Sequence, residues 1–278
     1  MNFPKTYVIQ MPGSQRNPQL YKSLEDLRID YKIQEAVVGK NLTELEIRKN
    51  VNLKSCDARL GYRISHNLIG SGLSHRKIYQ TVLNEKIEWA LILEEDAILS
   101  NFDRDQITRI ISEIKNEPTI IQLFSRAARL MKQKSIHQIS DSQRLVFDFL
   151  PRIAGCGAPA YLINQSAVQR ALRNHLLDGA PDWPPWAMDV KMMGVFPWMV
   201  TESDEGSTMP VEPISQKKYL LRRLSQLTGV HYLKFHREYS GPINYIKEEI
   251  LPYLIHLIWR ANGSKHFLGD ASGPQIIK

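Results

Sequence analysis

The sequence lacks several features that would directly identify the class of protein. Its two cysteines, Cys56 and Cys156, are too few for a disulfide framework and fit a reducing compartment. Zinc-site spacings of cysteine and histidine, repeats and low-complexity segments are all absent. The N-terminal residues lack the long apolar core of a signal peptide. The apolar stretch at 250–259 has about half of the roughly 20 residues that span a bilayer, so we expect a cytoplasmic protein.

Acidic residues are outnumbered by basic ones, 29 to 36, and the net charge of +7 indicates an anionic partner. A nucleotide sugar, a phosphorylated glycan, a lipid head group and a nucleic acid all fit this charge. Most of the excess lies in 214–278, where ten lysines and arginines stand against four acids. We therefore divide the chain into a main domain, 1–212, and a basic helical extension, 213–278. The extension either lies on the anionic inner face of the cytoplasmic membrane or packs on the main domain.

The clearest sign of chemistry is an apolar run, 89–93, that stops at three acids, Glu94, Glu95 and Asp96. Such a run predicts a buried strand that delivers carboxylates at its C-terminal end, where ligands bind in open α/β sheets. In an extended chain Glu94 and Asp96 leave one face and Glu95 the other. Two carboxylates on one face suit Mg²⁺ or Mn²⁺ held together with phosphates. The competing interpretation is a strand that ends in a solvated acidic turn.

Residues 70–75, GSGLSH, predict a glycine- and serine-rich loop that opens a helix. Gly72 can adopt a positive φ, and Ser74 can cap the helix. A helix N-terminus favours anions such as phosphate. The alternative is an ordinary capped helix with His75 at its surface.

Together these segments resemble glycosyltransferase family 25, which includes the bacterial lipooligosaccharide glycosyltransferases and the collagen galactosyltransferases. The resemblance is carried by 68–75, LIGSGLSH, and by the aliphatic strand that ends in the acids of 94–96. The segments AVVG at 36–39 and the strand and helix around AYLI at 160–163 are similar to further family motifs. The sequence departs from the family pattern at Ser71, where cysteine is usual, and at Glu95, where aspartate is usual. Weaker resemblance covers about the first 210 residues.

The resemblance implies a fold, a reaction and a set of site residues. The fold is α/β, a GT-A-like single Rossmann-type nucleotide-sugar-binding domain with a mostly parallel central sheet. The reaction is inverting transfer of a hexose, most often galactose, from a UDP-sugar to a lipooligosaccharide or lipopolysaccharide acceptor. It implies Mn²⁺ or Mg²⁺ on Glu94 and Asp96, and donor binding by Arg16, Gly72, Ser74, His75 and Glu95. Arg16 is equally well interpreted as a solvated loop cation.

A second chemical candidate is the tryptophan-rich segment 180–210. Aromatic rings stack on sugars and carboxylates bind hydroxyls, so this composition suits an acceptor site. Core packing is the alternative role for each of its tryptophans, Trp183, Trp186 and Trp198. Resemblance to the acidic motif of the family makes Asp182 the preferred general base and Asp189 the reserve.

Two functions from other classes remain open on the sequence alone. A nucleic-acid-binding protein would explain the charge, although zinc-finger, RNA-recognition and helix-turn-helix signatures are missing. A catalytically silent glycan- or membrane-binding module would explain the departures at Ser71 and Glu95.

Overall fold

The computed structural model describes residues 2–60, 64–114, 117–124, 137–138, 145–148, 157–179, 186–187, 190–203, 267–270 and 273–276. Asp182, Asp189, Trp183 and nearly all of the predicted basic extension lie outside them.

Twelve strands fall within the described residues. They are β1 (Lys5–Gln10), β2 (Tyr31–Glu35), β3 (Trp89–Glu94), β4 (Ala97–Ile98), β5 (Thr119–Gln122), β6 (His137–Gln138), β7 (Leu145–Asp148), β8 (Ala160–Asn164), β9 (Lys191–Phe196), β10 (Thr201–Glu202), β11 (Phe267–Asp270) and β12 (Gly273–Ile276). Eight of them form one sheet in the order β2-β1-β3-β8-β5-β9-β7-β6.

The sheet is mixed. β1 is parallel to β2 and β3, and β5 is parallel to β9. β8 is antiparallel to both its neighbours, as is β7, so the other six of the eight strands share one direction. The predicted α/β class with a mostly parallel central sheet is confirmed.

The described residues also form six α-helices. They are α1 (Pro18–Asp26), α2 (Glu44–Asn50), α3 (Leu53–Leu60), α4 (His66–Asn84), α5 (Arg104–Glu113) and α6 (Gln165–Ala171), with a short 3₁₀ helix at Gly39–Asn41. α4 packs on β1, β2 and α6, and α6 packs on β5 and β8. Within the described residues, no helix combines the length and apolar character needed to cross a membrane.

The core is built on the central strands. All five residues of β8, all four of β5 and the first five of β3 are buried. Strands covered on both faces need apolar residues at successive positions, which explains the unbroken runs in the sequence. The C-terminal end of β3 therefore belongs to a well-packed strand in the interior of the sheet.

A second, smaller cluster lies beside the main core, under α2 and α3. Its buried residues are Ile47, Val51, Cys56, Ile64, Ile69 and Leu177. The backbone of Leu177 donates to Asn50 O and accepts from Asn52 N, each at 2.8 Å. These bonds fasten the α2–α3 segment to the chain that follows α6.

In the predicted extension, the described residues form an antiparallel hairpin of β11 and β12. The helical pattern predicted at 217–227 lies outside the described residues. The other small sheet pairs β4 with β10 and lies directly after the acidic motif.

Candidate active site

The acidic motif lies where β3 ends. Glu94 is the last residue of β3, Glu95 and Asp96 form a turn, and the chain enters β4 at Ala97. The prediction of a buried strand that delivers carboxylates at its C-terminal end is confirmed. Because the chain turns at Glu95, the argument from strand alternation that placed Asp96 on the face of Glu94 does not hold.

Glu94 contacts a buried histidine of helix α4. His75 Nε2 lies 3.1 Å from Glu94 Oε1, with the histidine side chain 5% exposed and the glutamate 27% exposed. The Glu94 carboxylate is thus partly exposed, while one of its oxygens is hydrogen-bonded to a side chain in the protein interior.

The hydrogen-bond chain continues behind His75 through two tyrosines. His75 Nδ1 lies 2.8 Å from the Tyr161 hydroxyl, which in turn lies 2.8 Å from the Tyr79 hydroxyl. His75 and Tyr79 are four residues apart on α4 and therefore share one helix face. Tyr161 is on β8, paired in register with Ile92 of β3, two residues before Glu94. Strand β8 and helix α4 together position the side chains of this hydrogen-bond chain.

Burial keeps both phenols protonated. Desolvation raises the pKa of Tyr161 well above its usual value, and the neighbouring Tyr79 and Glu94 raise it further. Desolvation also raises the pKa of Tyr79, against a smaller lowering effect of its hydrogen bond with Tyr161. Both groups are O–H donors over the whole range of physiological pH.

The predicted loop at 70–75 is wrong. α4 begins at His66, with the Ser65 side chain accepting from Leu68 N as its N-cap, so GSGLSH lies inside the helix. Gly72, Ser74 and His75 are buried in the middle of α4 and are not at a helix N-terminus. The anion site inferred from that N-terminus is lost, and so is the alternative of a surface His75.

Close packing accounts for the two glycines and the serine. A Cβ on Gly70 would lie 2.4 Å from Val37 O, and one on Gly72 would lie 2.9 Å from the Leu177 side chain. The Ser74 hydroxyl accepts from Val37 N and donates to Gly70 O, each at 2.8 Å. The AVVG segment is thereby laid directly against α4.

The loop after β1 is tied to the acidic turn. Met11 N donates to Glu95 Oε2 at 3.2 Å, and Asn17 Nδ2 donates to Ala97 O at 2.9 Å. Asn17 also caps α1 by accepting from Leu20 N. Arg16, which is half-buried, lies in this loop between the two anchoring residues, and its predicted role in donor binding stays a prediction. Glu95 itself is buried and serves as an anchor for this loop.

A second segment holds the turn from the other side. β10 pairs with β4, and Ser203 N donates to Asp96 O at 2.9 Å. The Glu94 N–H donates to Pro159 O at 2.8 Å. The three acids are therefore fixed by three separate parts of the chain.

The described tryptophans pack on the core. Trp198 is 6% exposed and meets Phe124 edge-on, with ring centroids 6.2 Å apart. Trp186 is half-buried and meets Tyr79 edge-on at 5.9 Å. For Trp198 the core-packing alternative is correct, while Trp186 packs against the edge of the core and its place in an acceptor site stays a prediction.

Sequence reasoning missed Tyr79 and Tyr161. The i, i+4 spacing of His75 and Tyr79 was a usable signal, because the predicted helix capped by Ser74 already contains both residues. Tyr161 had no local signal, because its role comes from strand β8 lying next to β3.

The donor atoms at the turn suit a hard divalent cation. Glu94 and Asp96 are half-buried carboxylates, the ligand type that Mg²⁺ and Mn²⁺ prefer. Among the described residues no three histidine, cysteine, aspartate or glutamate side chains form a metal-binding group. A cation here would thus need further oxygen ligands from substrate and water, as is usual for Mg²⁺.

Comparison with known proteins identifies the family. A model of glycosyltransferase family 25 (LPS biosynthesis protein) matches residues 3–177, more than half of the chain. The chain belongs to glycosyltransferase family 25, and the predicted family and enzyme class, glycosyltransferase, are confirmed. The matched residues include both the GSGLSH helix and the acidic turn.

Individual relatives are more distant. Procollagen galactosyltransferase 1-B of Xenopus laevis is 26% identical over 121 residues, which are 41% of this chain and 20% of that protein. The match therefore spans one fifth of the length of this curated relative. The crystal structure of A197 from STIV covers 68% of this chain and 81% of its own, at 13% identity and a TM-score of 0.38, too low to carry an argument.

Proposed function

We propose that the protein transfers a hexose from a UDP-sugar to a lipooligosaccharide or lipopolysaccharide acceptor, with inversion at the sugar. The observation that carries the proposal is the acidic turn of 94–96, held at the carboxyl end of a central strand in a family 25 chain. Galactose is the first donor sugar to test, since the matched relative is a galactosyltransferase by name. A GT-A-like arrangement of the domain is part of this proposal.

In the proposed mechanism, Glu94 and Asp96 would hold Mn²⁺ or Mg²⁺ together with the donor diphosphate. When bound, the cation neutralises the diphosphate and stabilises the departing UDP. His75 keeps Glu94 in place from behind, and Glu95 keeps the 11–17 loop against the turn. That loop presents Arg16 as a cation for the donor phosphates.

The acceptor hydroxyl needs a base on the face opposite the leaving group, because inversion is a single in-line displacement. Asp182 is the first candidate for this base and Asp189 the second. Peripheral contact of the basic 213–278 segment with an anionic membrane would bring the enzyme to a lipid-linked acceptor.

The test is release of UDP from a panel of UDP-sugars, with and without a truncated lipooligosaccharide, in Mn²⁺ or EDTA. We expect acceptor-stimulated, Mn²⁺-dependent release that Asp96→Asn and Asp182→Asn each abolish. Asp30→Asn removes an exposed carboxylate far from the motif in sequence and is the matched control. Loss with Asp96→Asn alone would move the base to Asp189.

Other outcomes contradict the proposal. Acceptor binding with neither donor binding nor turnover would make the chain a glycan-binding module. Salt-sensitive binding to DNA or RNA that is unchanged in Asp96→Asn would make it a nucleic-acid-binding protein.

A further inference from the structure

We propose that Tyr79 and Tyr161 are positioning residues that act through His75 to fix the orientation of the Glu94 carboxylate. The proposal rests on the proposed function for the identity of what Glu94 binds, a divalent cation with a nucleoside diphosphate. Neither tyrosine touches that ligand in this role.

The direction of the hydrogen bonds follows from their end points. The ionised Glu94 can only accept, so His75 Nε2 must carry the proton that lies between them. An imidazole that donates from Nε2 can accept at Nδ1, and the Tyr161 hydroxyl lies 2.8 Å from that nitrogen. The Tyr161 oxygen can in turn accept from Tyr79. In this arrangement all the donors point toward Glu94 and each has an acceptor.

The hydrogen-bond chain is held in place because its side chains belong to a packed helix and a packed strand. His75 and Tyr79 are 4% and 5% exposed on α4, and Tyr161 is 1% exposed on a strand paired on both edges. Trp186 packs edge-on against Tyr79, at the end of the hydrogen-bond chain that is furthest from Glu94. Burial excludes water that could replace a missing hydroxyl, so a phenylalanine at either tyrosine leaves the donor unreplaced.

The consequence is a graded effect on ligand binding. Hydrogen-bond partners behind a metal ligand typically change metal affinity by about 10- to 100-fold. We expect Tyr161→Phe to weaken Mn²⁺–UDP binding by about 10-fold, since His75 then loses the hydrogen bond at Nδ1 that fixes the orientation of its ring. Tyr79→Phe acts one bond further away and should weaken binding by less than Tyr161→Phe.

The experiment measures Mn²⁺ binding to the full chain in the presence of UDP, by calorimetry and by Mn²⁺ electron paramagnetic resonance. Tyr7→Phe is the matched control, because Tyr7 is a buried tyrosine of β1 whose hydroxyl lacks a hydrogen-bond partner within the described structure. The expected order of affinity is wild type and Tyr7→Phe, then Tyr79→Phe, then Tyr161→Phe. Equal affinity in all four proteins would overturn the positioning role.

A second measurement separates this proposal from the proposed function. Side-chain ¹⁵N NMR of the metal-free protein should show His75 in the Nε2–H tautomer, with Nδ1 as a hydrogen-bond acceptor in the wild type and without that hydrogen bond in Tyr161→Phe. Failure of the wild type to bind Mn²⁺–UDP while the tautomer is as expected overturns the proposed function. Nδ1–H in the wild type overturns the hydrogen-bond chain, whether or not the ligand binds.

Discussion

At the scale of single residues, the three acids of one motif have three different environments. Glu94 contacts His75, Glu95 accepts from Met11 N, and Asp96 is held through its backbone by Ser203. The sequence predicted that three carboxylates follow a buried strand, because apolar runs and strand ends are local properties. Their separate partners could not be predicted, since those lie far away along the chain.

Glu95 was predicted to bind the donor, and its place in the structure gives a different test. Glu95→Ala should destabilise the fold by about 1–2 kcal/mol, because Met11 N loses its acceptor. Glu95→Gln keeps an acceptor oxygen at the same length and should cost less. Urea unfolding of both variants measures the difference. Equal losses of stability would show that the hydrogen bond to Met11 is not what Glu95 contributes.

Tyr7 should make the protein sensitive to alkali. Burial, with a smaller contribution from Glu85, raises the pKa of Tyr7 to about 12. An unfolded tyrosine titrates near pH 10, so the folded state holds this proton more tightly. The resulting stability is complete below pH 10 and is lost as the pH rises from 10 through about 12, by about 1.4 kcal/mol per pH unit.

Tyr7→Phe should remove that part of the alkaline slope. Its stability at pH 7 should be close to that of the wild type, since the hydroxyl has no described hydrogen-bond partner to lose. The free energy of unfolding in urea between pH 8 and 11 is the measurement. An unchanged slope would place the alkaline transition in other groups, with Tyr79 and Tyr161 next in order.

At the scale of elements, helix α4 shows where local propensity misleads. Glycine and serine lower helix propensity, so GSGLSH predicted a loop on local grounds. The helix continues because Gly70 lets it touch the backbone at Val37, and because the side chain of Ser74 bonds to that same segment. Tertiary contact decided the conformation, which the local pattern could not show. The strands, by contrast, were predicted well. A strand that is buried on both faces needs apolar residues at successive positions, and such runs are visible in the sequence.

The glycines of α4 should differ in their tolerance of alanine. In an exposed helix Gly→Ala stabilises by up to about 1 kcal/mol. Gly70→Ala should instead destabilise by about 2–3 kcal/mol, since its Cβ meets backbone atoms of Val37 and Gly39 within 3.0 Å. Gly72→Ala meets only the ends of the Leu177 side chain and should cost less.

Urea unfolding of the two variants tests this order, with Gln80→Ala on the exposed face of α4 as the control. A stabilising Gly70→Ala would mean that α4 and the AVVG segment lie further apart than described here.

At the scale of the whole molecule, the described part of the chain has one large apolar core and one small one. The small cluster contains six buried residues and is fastened through Leu177. Regions with few buried apolar contacts open at lower free energy than central strands. Leu177→Ala should cost about 2–5 kcal/mol locally and increase hydrogen exchange across α2 and α3.

Hydrogen exchange measured by mass spectrometry distinguishes local from global opening. Peptides from β3 and β8 should keep wild-type protection in Leu177→Ala, while peptides covering 44–60 lose it. Uniform loss of protection would mean that the two clusters unfold as one unit.

The hydrogen bonds that hold the acidic turn also affect how the protein folds. Two of them join residues 84 and 80 positions apart, and a third comes from Ser203, far downstream. Contacts between distant residues form slowly, because loop closure costs entropy before the contact is made. The pairing of β1 with β3, which joins Ile9 to Glu94, closes a loop of nearly the same length. Once these two strands have paired, the residues after β1 are already close to the turn, and the hydrogen bonds from Met11 and Asn17 need little further loop closure.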